Sequence, residues 1–203
     1  MGMPAIRRRW TTAEVRDLMD ESRAWPRYEL ISGELIVTPA PGGAHQVAVT
    51  EILRLILPYL DRQEIGIPLT SPVDLELQPG TITQPDIFVV PRYPTPEAGA
   101  RPTWKDITSL LLAVEIISPS SIRTDRVDKR DFYMEADVAE YWIVDLDARI
   151  IERWIPARQT PEVLRKSLEW LPPGAATPLI IDLAGLFDRI GETYSQIKGR
   201  FGY

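Results

Sequence analysis

Two acidic residues stand where the surrounding sequence predicts buried strands. Asp86 directly precedes the apolar run 87–90, and Glu115 lies inside the apolar run 110–117. An isolated carboxylate is costly to bury, because its charged form loses its hydration. A cation shared by the two carboxylates would offset this cost. The pattern therefore indicates a hard divalent ion such as Mg²⁺, which binds one or two carboxylates, keeps several water molecules and binds a substrate phosphate.

A third group of polar residues follows Glu115 along the chain. Asp125, Lys129 and Tyr133 are spaced four residues apart, so on a helix they share one face and drift by only about 40° per step. If that face points at the two acids, Lys129 could orient a nucleophilic water or offset negative charge in a transition state. A metal ion at the acids would polarise a phosphoryl oxygen and help to generate the attacking hydroxide. The three pieces thus predict one site for phosphodiester hydrolysis.

Composition limits the other possibilities. The chain of 203 residues has no Cys and one His, which excludes disulfides, thiolate nucleophiles, Cys-based zinc sites and multi-His metal sites. Its formal net charge of −6 argues against a bulk electrostatic nucleic-acid binder. The N-terminal arginines lead into polar residues, which is not typical of a secretory signal, and no apolar run approaches the ~18 residues of a membrane span. A soluble, cytoplasmic protein is the default expectation.

One local basic cluster remains compatible with nucleic acid. It surrounds Lys129 and could hold phosphates of a substrate, and its other members are Arg123, Arg126 and Arg130. A solvated helix face would give the same pattern, so this interpretation and the phosphate-binding one both stay open.

The first half of the chain predicts helices and hairpins. Thr11 and Glu14 have capping-box spacing and predict a helix that begins there. The remaining elements predicted before Asp86 are a hairpin over 28–37 with its turn at Ser32–Gly33, a helix over 45–60, and strands over 65–70 and 72–77.

The second half alternates buried strands with helices. The predicted elements are a long loop over 91–106, a central strand over 110–117, a helix over 125–136, strands over 141–145, 149–155, 163–170 and 179–183, and a helix over 183–190. No repeat or linker indicates a second domain, so we expect one domain over 1–203 with its core over about 12–190. The fold class predicted is α/β or α+β, a mixed central sheet flanked by helices.

Several motifs together resemble one family. They are Tyr28-Glu29-Leu30-Ile31-Ser32-Gly33-Glu34-Leu35, His45-Gln46, Gln84-Pro85-Asp86, Glu115-Ile116-Ile117-Ser118-Pro119-Ser120, the spacing of Asp125, Lys129 and Tyr133, and Glu140-Tyr141-Trp142-Ile143-Val144-Asp145. Over about residues 12–190 the chain resembles the Uma-type putative restriction endonucleases of the PD-(D/E)-x-K nuclease superfamily. The resemblance implies a restriction-endonuclease-like fold and cleavage of nucleic acid with Mg²⁺ or Mn²⁺, with Asp86 and Glu115 as the metal-binding acids.

The chain departs from the superfamily motif at one position. The Lys expected two residues after the acid is replaced by Ile117, which cannot donate to water or phosphate. The family pattern implies that Lys129 takes its place, and the helix spacing independently gives Lys129 a suitable face. Glu29, His45, Asp125 and Tyr133 are the accessory candidates, with His45 placed to orient a water or phosphate at the start of a helix.

Two classes of function remain from the sequence. The first is a Mg²⁺-dependent endonuclease that acts on nucleic acid, with DNA as the expected polymer and a homodimer as a plausible assembly. RNA and branched or single-stranded DNA stay open as alternative substrates of such a nuclease. The second is a nuclease-fold protein without activity, which acts by self-assembly or by binding a partner. The two acids and Lys129 favour the enzyme, whereas the acidic net charge favours the interaction protein.

Overall fold

A mixed six-stranded sheet forms the centre of the molecule. The structure is a computed structural model, which describes residues 8–21, 26–92, 103–118 and 121–201. The strands are β1 (Arg27–Ile31), β2 (Glu34–Thr38), β3 (Gly66–Thr70), β4 (Ile87–Pro91), β5 (Leu112–Ile116), β6 (Tyr141–Asp145), β7 (Ile150–Trp154), β8 (Glu162–Leu164), β9 (Ser167–Trp170) and β10 (Leu179–Asp182). The helices are α1 (Thr12–Glu21), α2 (Gly43–Gln63), α3 (Arg130–Glu135) and α4 (Leu183–Phe201), with a 3₁₀ turn at Trp104–Asp106 and a π-helical segment at Thr124–Lys129.

The order of strands in the central sheet is β3-β4-β5-β6-β7-β8. Only β5 and β6 pair in parallel, and the connection between them carries the π-helical segment and α3. All other neighbours in this sheet are antiparallel. The strands β1 and β2 form a separate hairpin, and β9 pairs with β10 in another two-stranded sheet. The predicted mixed sheet flanked by helices is confirmed.

Each face of the central sheet packs in its own core. One core joins the sheet to α2, α4 and the β9–β10 pair, and Val114 and Trp142 lie in it. The other core joins the sheet to α3 and contains Ala113 and Ile143. Since successive side chains of a strand point to opposite faces, Glu115 shares the face of Ala113, toward the π-helical segment.

Local signals explain the N-terminal elements. The backbone N–H of Thr11 donates to Glu14 Oε2 (2.9 Å), and the backbone N–H of Glu14 donates to Thr11 Oγ1 (3.3 Å), which is the predicted capping box of α1. In the turn between β1 and β2, φ is 52° at Ser32 and 78° at Gly33. Positive φ at both central residues matches the twist of a two-residue hairpin, as predicted.

Two predicted strands are wrong. Residues 72–77 form only a single bridge, between Leu75 and Thr83, instead of a strand. The alternation of this segment reflects burial of Leu75 and Leu77 in a core, which needs no ladder of backbone hydrogen bonds. Residues 163–170 form β8 and β9 in different sheets, because the chain leaves β7 after Leu164 and pairs next with β10.

Helix bounds and type also differ from the predictions. The helix predicted over 45–60 is α2, Gly43–Gln63, and the one predicted over 183–190 continues to Phe201. The segment predicted as one helix over 125–136 is π-helical from Thr124 to Lys129 and α-helical only from Arg130. π-Helical turns inside helices are frequent at functional sites. Of the long loop predicted over 91–106, residues 93–102 lie outside the described residues.

In the part of the chain that the structure describes, no helix combines the length and apolar character that a membrane span requires.

Candidate active site

The register of β4 on β5 places the two predicted metal-binding acids together. Ile87 pairs with Val114 in an antiparallel ladder, so the residue before Ile87 lies opposite the residue after Val114. Those residues are Asp86 and Glu115. Side chains that lie directly opposite each other in such a pair have Cβ atoms about 4.5–5.5 Å apart, which is close enough for one ion to contact both carboxylates.

Asp86 is held in an ionised, oriented state. Its Oδ2 accepts a hydrogen bond from the backbone N–H of Ile116 (2.9 Å) and lies 2.8 Å from His45 Nε2. Its Oδ1 lies 3.4 Å from the guanidinium nitrogen Nη1 of Arg27. Burial by itself would raise the pKa of Asp86, but the contact with His45 and the Ile116 N–H favour the carboxylate, and the pKa is lowered overall. These contacts therefore favour the carboxylate form of Asp86.

Lys129 links Glu115 to two further acids. Its Nζ lies 2.9 Å from Glu115 Oε1, 2.9 Å from Glu29 Oε2 and 3.6 Å from Asp125 Oδ1. The lysine is only 5% exposed, which is rare for a charged side chain unless it is paired. The hydroxyl of Tyr133 lies 3.4 Å from Glu115 Oε1. The structure thus brings Asp125, Lys129 and Tyr133 onto the face that points at Glu115, as the helical spacing predicts.

The protonation states reveal an excess of negative charge around Lys129. Burial raises the pKa of Glu115 well above its ordinary value, and although Lys129 opposes this, the neighbouring carboxylates of Asp86, Asp125 and Glu29 add to it. Burial raises the pKa of Asp125 in the same way. Burial would lower the pKa of Lys129, but the surrounding carboxylates outweigh it and raise the pKa. Both directions mean that the site retains protons.

The acidic groups of the site outnumber its basic groups. Four carboxylates meet here, those of Glu29, Asp86, Glu115 and Asp125, against the two cations Arg27 and Lys129. With every group ionised, four negative charges minus two positive charges leave an excess of two. Within the described residues no three His, Asp or Glu side chains form a ready-made metal-binding group. Carboxylate oxygens such as those of Asp86 and Glu115 are donors that Mg²⁺ can use, since it takes one or two carboxylates and fills its other positions with water and substrate.

A cavity of about 520 Å³ opens over these residues. Asp86, Glu115, Asp125, Lys129 and Glu29 all contribute to its lining. His45 lies in the first turn of α2 and also lines it, and its Nδ1 is buried with no hydrogen-bond partner among the described residues. The volume lies in the range of pockets that bind small ligands, about 300–1,000 Å³.

The predicted phosphate-binding arginines lie outside this cavity lining. Arg126 is bound to Glu152 (2.8 Å) and Asp145 (3.0 Å), which fixes it against β6 and β7. Arg130 packs over the ring of Trp154, and Arg123 is exposed. The helical turn therefore points Lys129 toward the acids, whereas the three arginines lie outside the cavity lining.

Two lining residues were not predicted as site residues. Arg27 contacts Asp86 from β1, and the backbone N–H of Gln84 donates to Glu29 Oε1 (2.8 Å), which fixes the Glu29 carboxylate beside Lys129. The Gln84 side chain is buried, donates to Asp74 (2.6 Å), and has no partner for its own carbonyl oxygen among the described residues. The position of Gln84 two residues before Asp86 was the available signal. Arg27 gave none.

Comparisons with known proteins place these features in context. A family model named Uma2 and described as "Putative restriction endonuclease" matches residues 13–183. A solved structure described as a putative nuclease belonging to DUF820 from Anabaena variabilis is 24% identical, with a TM-score of 0.67, over 87% of this chain and 98% of that chain. That likeness shows a shared fold. Among curated proteins, none matches the chain significantly.

Proposed function

This chain belongs to the Uma2 family, and we propose that it is a Mg²⁺- or Mn²⁺-dependent endonuclease that hydrolyses phosphodiester bonds in DNA. The family description supports a nuclease. The observation that carries the proposal is the meeting of Asp86, Glu115 and Lys129 in one cavity, with Lys129 Nζ 2.9 Å from Glu115.

Asp86 and Glu115 are the residues that would hold the metal ion. When bound, Mg²⁺ would polarise the phosphoryl oxygen and lower the pKa of the attacking water. Asp86 stays ionised because of His45 and the Ile116 N–H. A bound cation would favour the charged form of Glu115, whose pKa is raised by burial and also by the neighbouring carboxylates.

Lys129 supplies the donor that Ile117 cannot. Its ammonium is fixed by Glu115 and Glu29, so it needs no reorganisation when negative charge develops on the phosphate. A preorganised donor of this kind acts strongly in a site that excludes water. Glu29 in turn is fixed by the Gln84 N–H and serves as a positioning residue for Lys129.

The proposal predicts a dependence on metal that can be removed. We expect the purified protein to cut DNA in Mg²⁺ or Mn²⁺ and to stop when EDTA is added, because without the ion the excess carboxylate charge repels the phosphate. The assay compares supercoiled plasmid, linear duplex, single-stranded DNA and RNA. Cleavage that is insensitive to EDTA, or no cleavage of any form in either metal, would contradict the enzyme, and cleavage of RNA alone would contradict the choice of DNA.

His45 gives a second prediction, about metal binding. His45→Ala removes the side chain that orients Asp86 Oδ2, and loss of such a partner typically costs about 10–100-fold in metal affinity or activity. We therefore expect the Mg²⁺ concentration for half-maximal cleavage to rise by that factor, with partial recovery in His45→Gln. Equal Mg²⁺ requirements in all three proteins would show that His45 only packs the start of α2.

One observation favours the alternative, a protein without activity that acts by self-assembly or partner binding. Lys129 is enclosed by three carboxylates, an arrangement that can also serve as a buried ion-pair network. A homodimer is compatible with both functions. In a nuclease it would provide two active sites, and in a protein without activity it would be the assembly itself. The EDTA experiment separates the two functions, and sedimentation of the purified protein tests the dimer.

A further inference from the structure

The cavity has an acidic interior and apolar walls. One wall comes from β2 and the loop after it, and the other from the ends of β5 and β6 and the turn that begins the π-helical segment. These wall residues are Ile36, Val37, Pro39, Ala40, Pro41, Ile117, Ile122, Leu146 and Ala148. Val37 is 52% exposed and Ile122 is 39% exposed. Large apolar side chains thus remain open to solvent beside the buried acids.

The described part of the lining offers few cations to the phosphates of a nucleic acid. Its Lys and Arg residues are Arg27 and Lys129, whose side chains are 11% and 6% exposed and already contact carboxylates. Asp147 adds a further carboxylate to the lining, and Asp145 adds one that is paired with Arg126. Nucleic acids, paired or unpaired, are positioned largely by contacts from Lys, Arg and other donors to their phosphates. These walls offer mainly carbon atoms, so the contact they favour is apolar packing against an exposed base.

The size of the cavity points the same way. About 520 Å³ is the volume of a pocket for a small ligand. A space of this size holds about one nucleotide, and a duplex, whose bases are paired inside it, could bring only its sugar-phosphate backbone to the opening. Apolar walls suit the faces of a base and a sugar, which paired and stacked nucleotides do not present.

We infer that the substrate is an unpaired DNA strand, with the base and sugar of one nucleotide packed on the Val37 and Ile122 walls and one phosphate over the acids. This inference rests on the proposed nuclease function and names the form of its substrate. Specificity then comes from access, since a duplex keeps its bases paired and stacked and cannot pack one of them on these apolar walls.

The walls can be tested with variants matched in residue type and exposure. The test variant is Val37→Ser/Ile122→Ser. Its control is Val163→Ser/Ile197→Ser, because Val163 is 51% exposed on a strand and Ile197 is 37% exposed on a helix, both outside the cavity lining. All four side chains are substantially exposed, so we expect both double variants to unfold close to the wild-type midpoint. The two single cavity variants replace the double variant if it does not fold.

The measurement is cleavage of one labelled oligonucleotide in Mg²⁺, as a single strand and as a blunt duplex. We expect kcat/KM to be at least about tenfold higher for the single strand. The cavity variant should lose at least about tenfold on the single strand, mainly through KM, since even one missing methylene in an apolar pocket has about this effect and the two substitutions remove more. The control variant should match the wild type.

The outcomes separate this inference from the proposed function. Equal cleavage of duplex and single strand, or a cavity variant as active as its control, overturns the unpaired-strand inference and leaves the nuclease intact. If nothing is cut, the nuclease proposal fails, and fluorescence anisotropy with the same oligonucleotides in Mg²⁺ then decides. Tighter binding of the single strand that is lost in the cavity variant supports the inference, and equal or absent binding of both forms overturns it.

Discussion

Replacing Asp86 or Glu115 by alanine is expected to abolish Mg²⁺-dependent cleavage, with a loss of at least about 10³-fold. Each substitution removes one of two carboxylates that meet across β4 and β5 and, with it, a ligand of the proposed cation. Such a cation would stabilise the transition state by several kcal/mol, where each 1.36 kcal/mol is tenfold in rate. We expect the thermal unfolding midpoint of Glu115→Ala without metal to stay close to the wild-type value or to rise, whereas Asp86→Ala should lower it, because its native contacts lower the pKa of Asp86 and so favour its carboxylate in the folded state. Burial raises the pKa of Glu115, so its charged form is already unfavourable in the folded state.

A buried acid outside the cavity provides the control. Glu51 on α2 is 3% exposed, contacts Arg54 and does not line the cavity. Glu51→Ala should keep the wild-type cleavage rate even if it lowers the midpoint. Cleavage within tenfold of wild type in Asp86→Ala, measured on folded protein, would remove Asp86 from the metal site.

Lys129→Met is expected to have the second large effect, on both activity and stability. Without a fixed donor, cleavage should fall by at least about 10²-fold. The variant also leaves Glu29, Glu115 and Asp125 without their shared cation, and breaking a buried ion pair in this way costs about 3–5 kcal/mol. We therefore expect the free energy of unfolding at neutral pH to fall by this amount, measured by urea unfolding.

The stability of this variant should depend on pH in a defined direction. In the folded wild type, Lys129 lowers the pKa of Glu115 and of Asp125, so its loss raises these values further above their unfolded values. A folded state that binds more protons than the unfolded state gains stability as the pH falls. In EDTA, the deficit of Lys129→Met should therefore shrink between neutral pH and the ordinary Glu value of 4.5.

An exposed lysine provides the matched control for this prediction. Lys198 lies exposed near the end of α4, and Lys198→Met should change neither the cleavage rate nor the pH dependence of stability. If Lys129→Met cuts as fast as wild type, the assignment of the donor role to Lys129 is wrong. If the loss of stability in Lys129→Met is the same at all pH values, the charges of Glu29, Glu115 and Asp125 are balanced in the variant without Lys129, which would contradict the prediction.

The sequence predicted the site through its local patterns. A charged residue within a continuously apolar strand marked Glu115, and four-residue spacing put Lys129 and Tyr133 on the face that the structure turns toward it. The spacing did not reveal that this turn is π-helical, because over so few residues the α and π periods place side chains on nearly the same face. The predicted orientation of this face toward Glu115 therefore holds for the π-helical turn as well.

The contacts between distant segments could not be predicted. Arg27 reaches Asp86 across 59 residues of sequence, and Gln84 fixes Glu29 across 55 residues. Such contacts depend on where the β1–β2 hairpin docks, which no local pattern encodes. The same gap explains the wrong strand over 72–77, since alternation reports the buried side of a segment but not whether another strand lies beside it.

The most direct test of the shared metal site is a crystal structure with Mn²⁺, in which anomalous scattering locates the ion. We expect one strong peak with carboxylate oxygens of both Asp86 and Glu115 in its coordination sphere and with the Lys129 ammonium nearby. The peak should disappear in Asp86→Ala. A wild-type protein that cuts DNA in Mn²⁺ but binds the ion away from these two carboxylates would contradict the account.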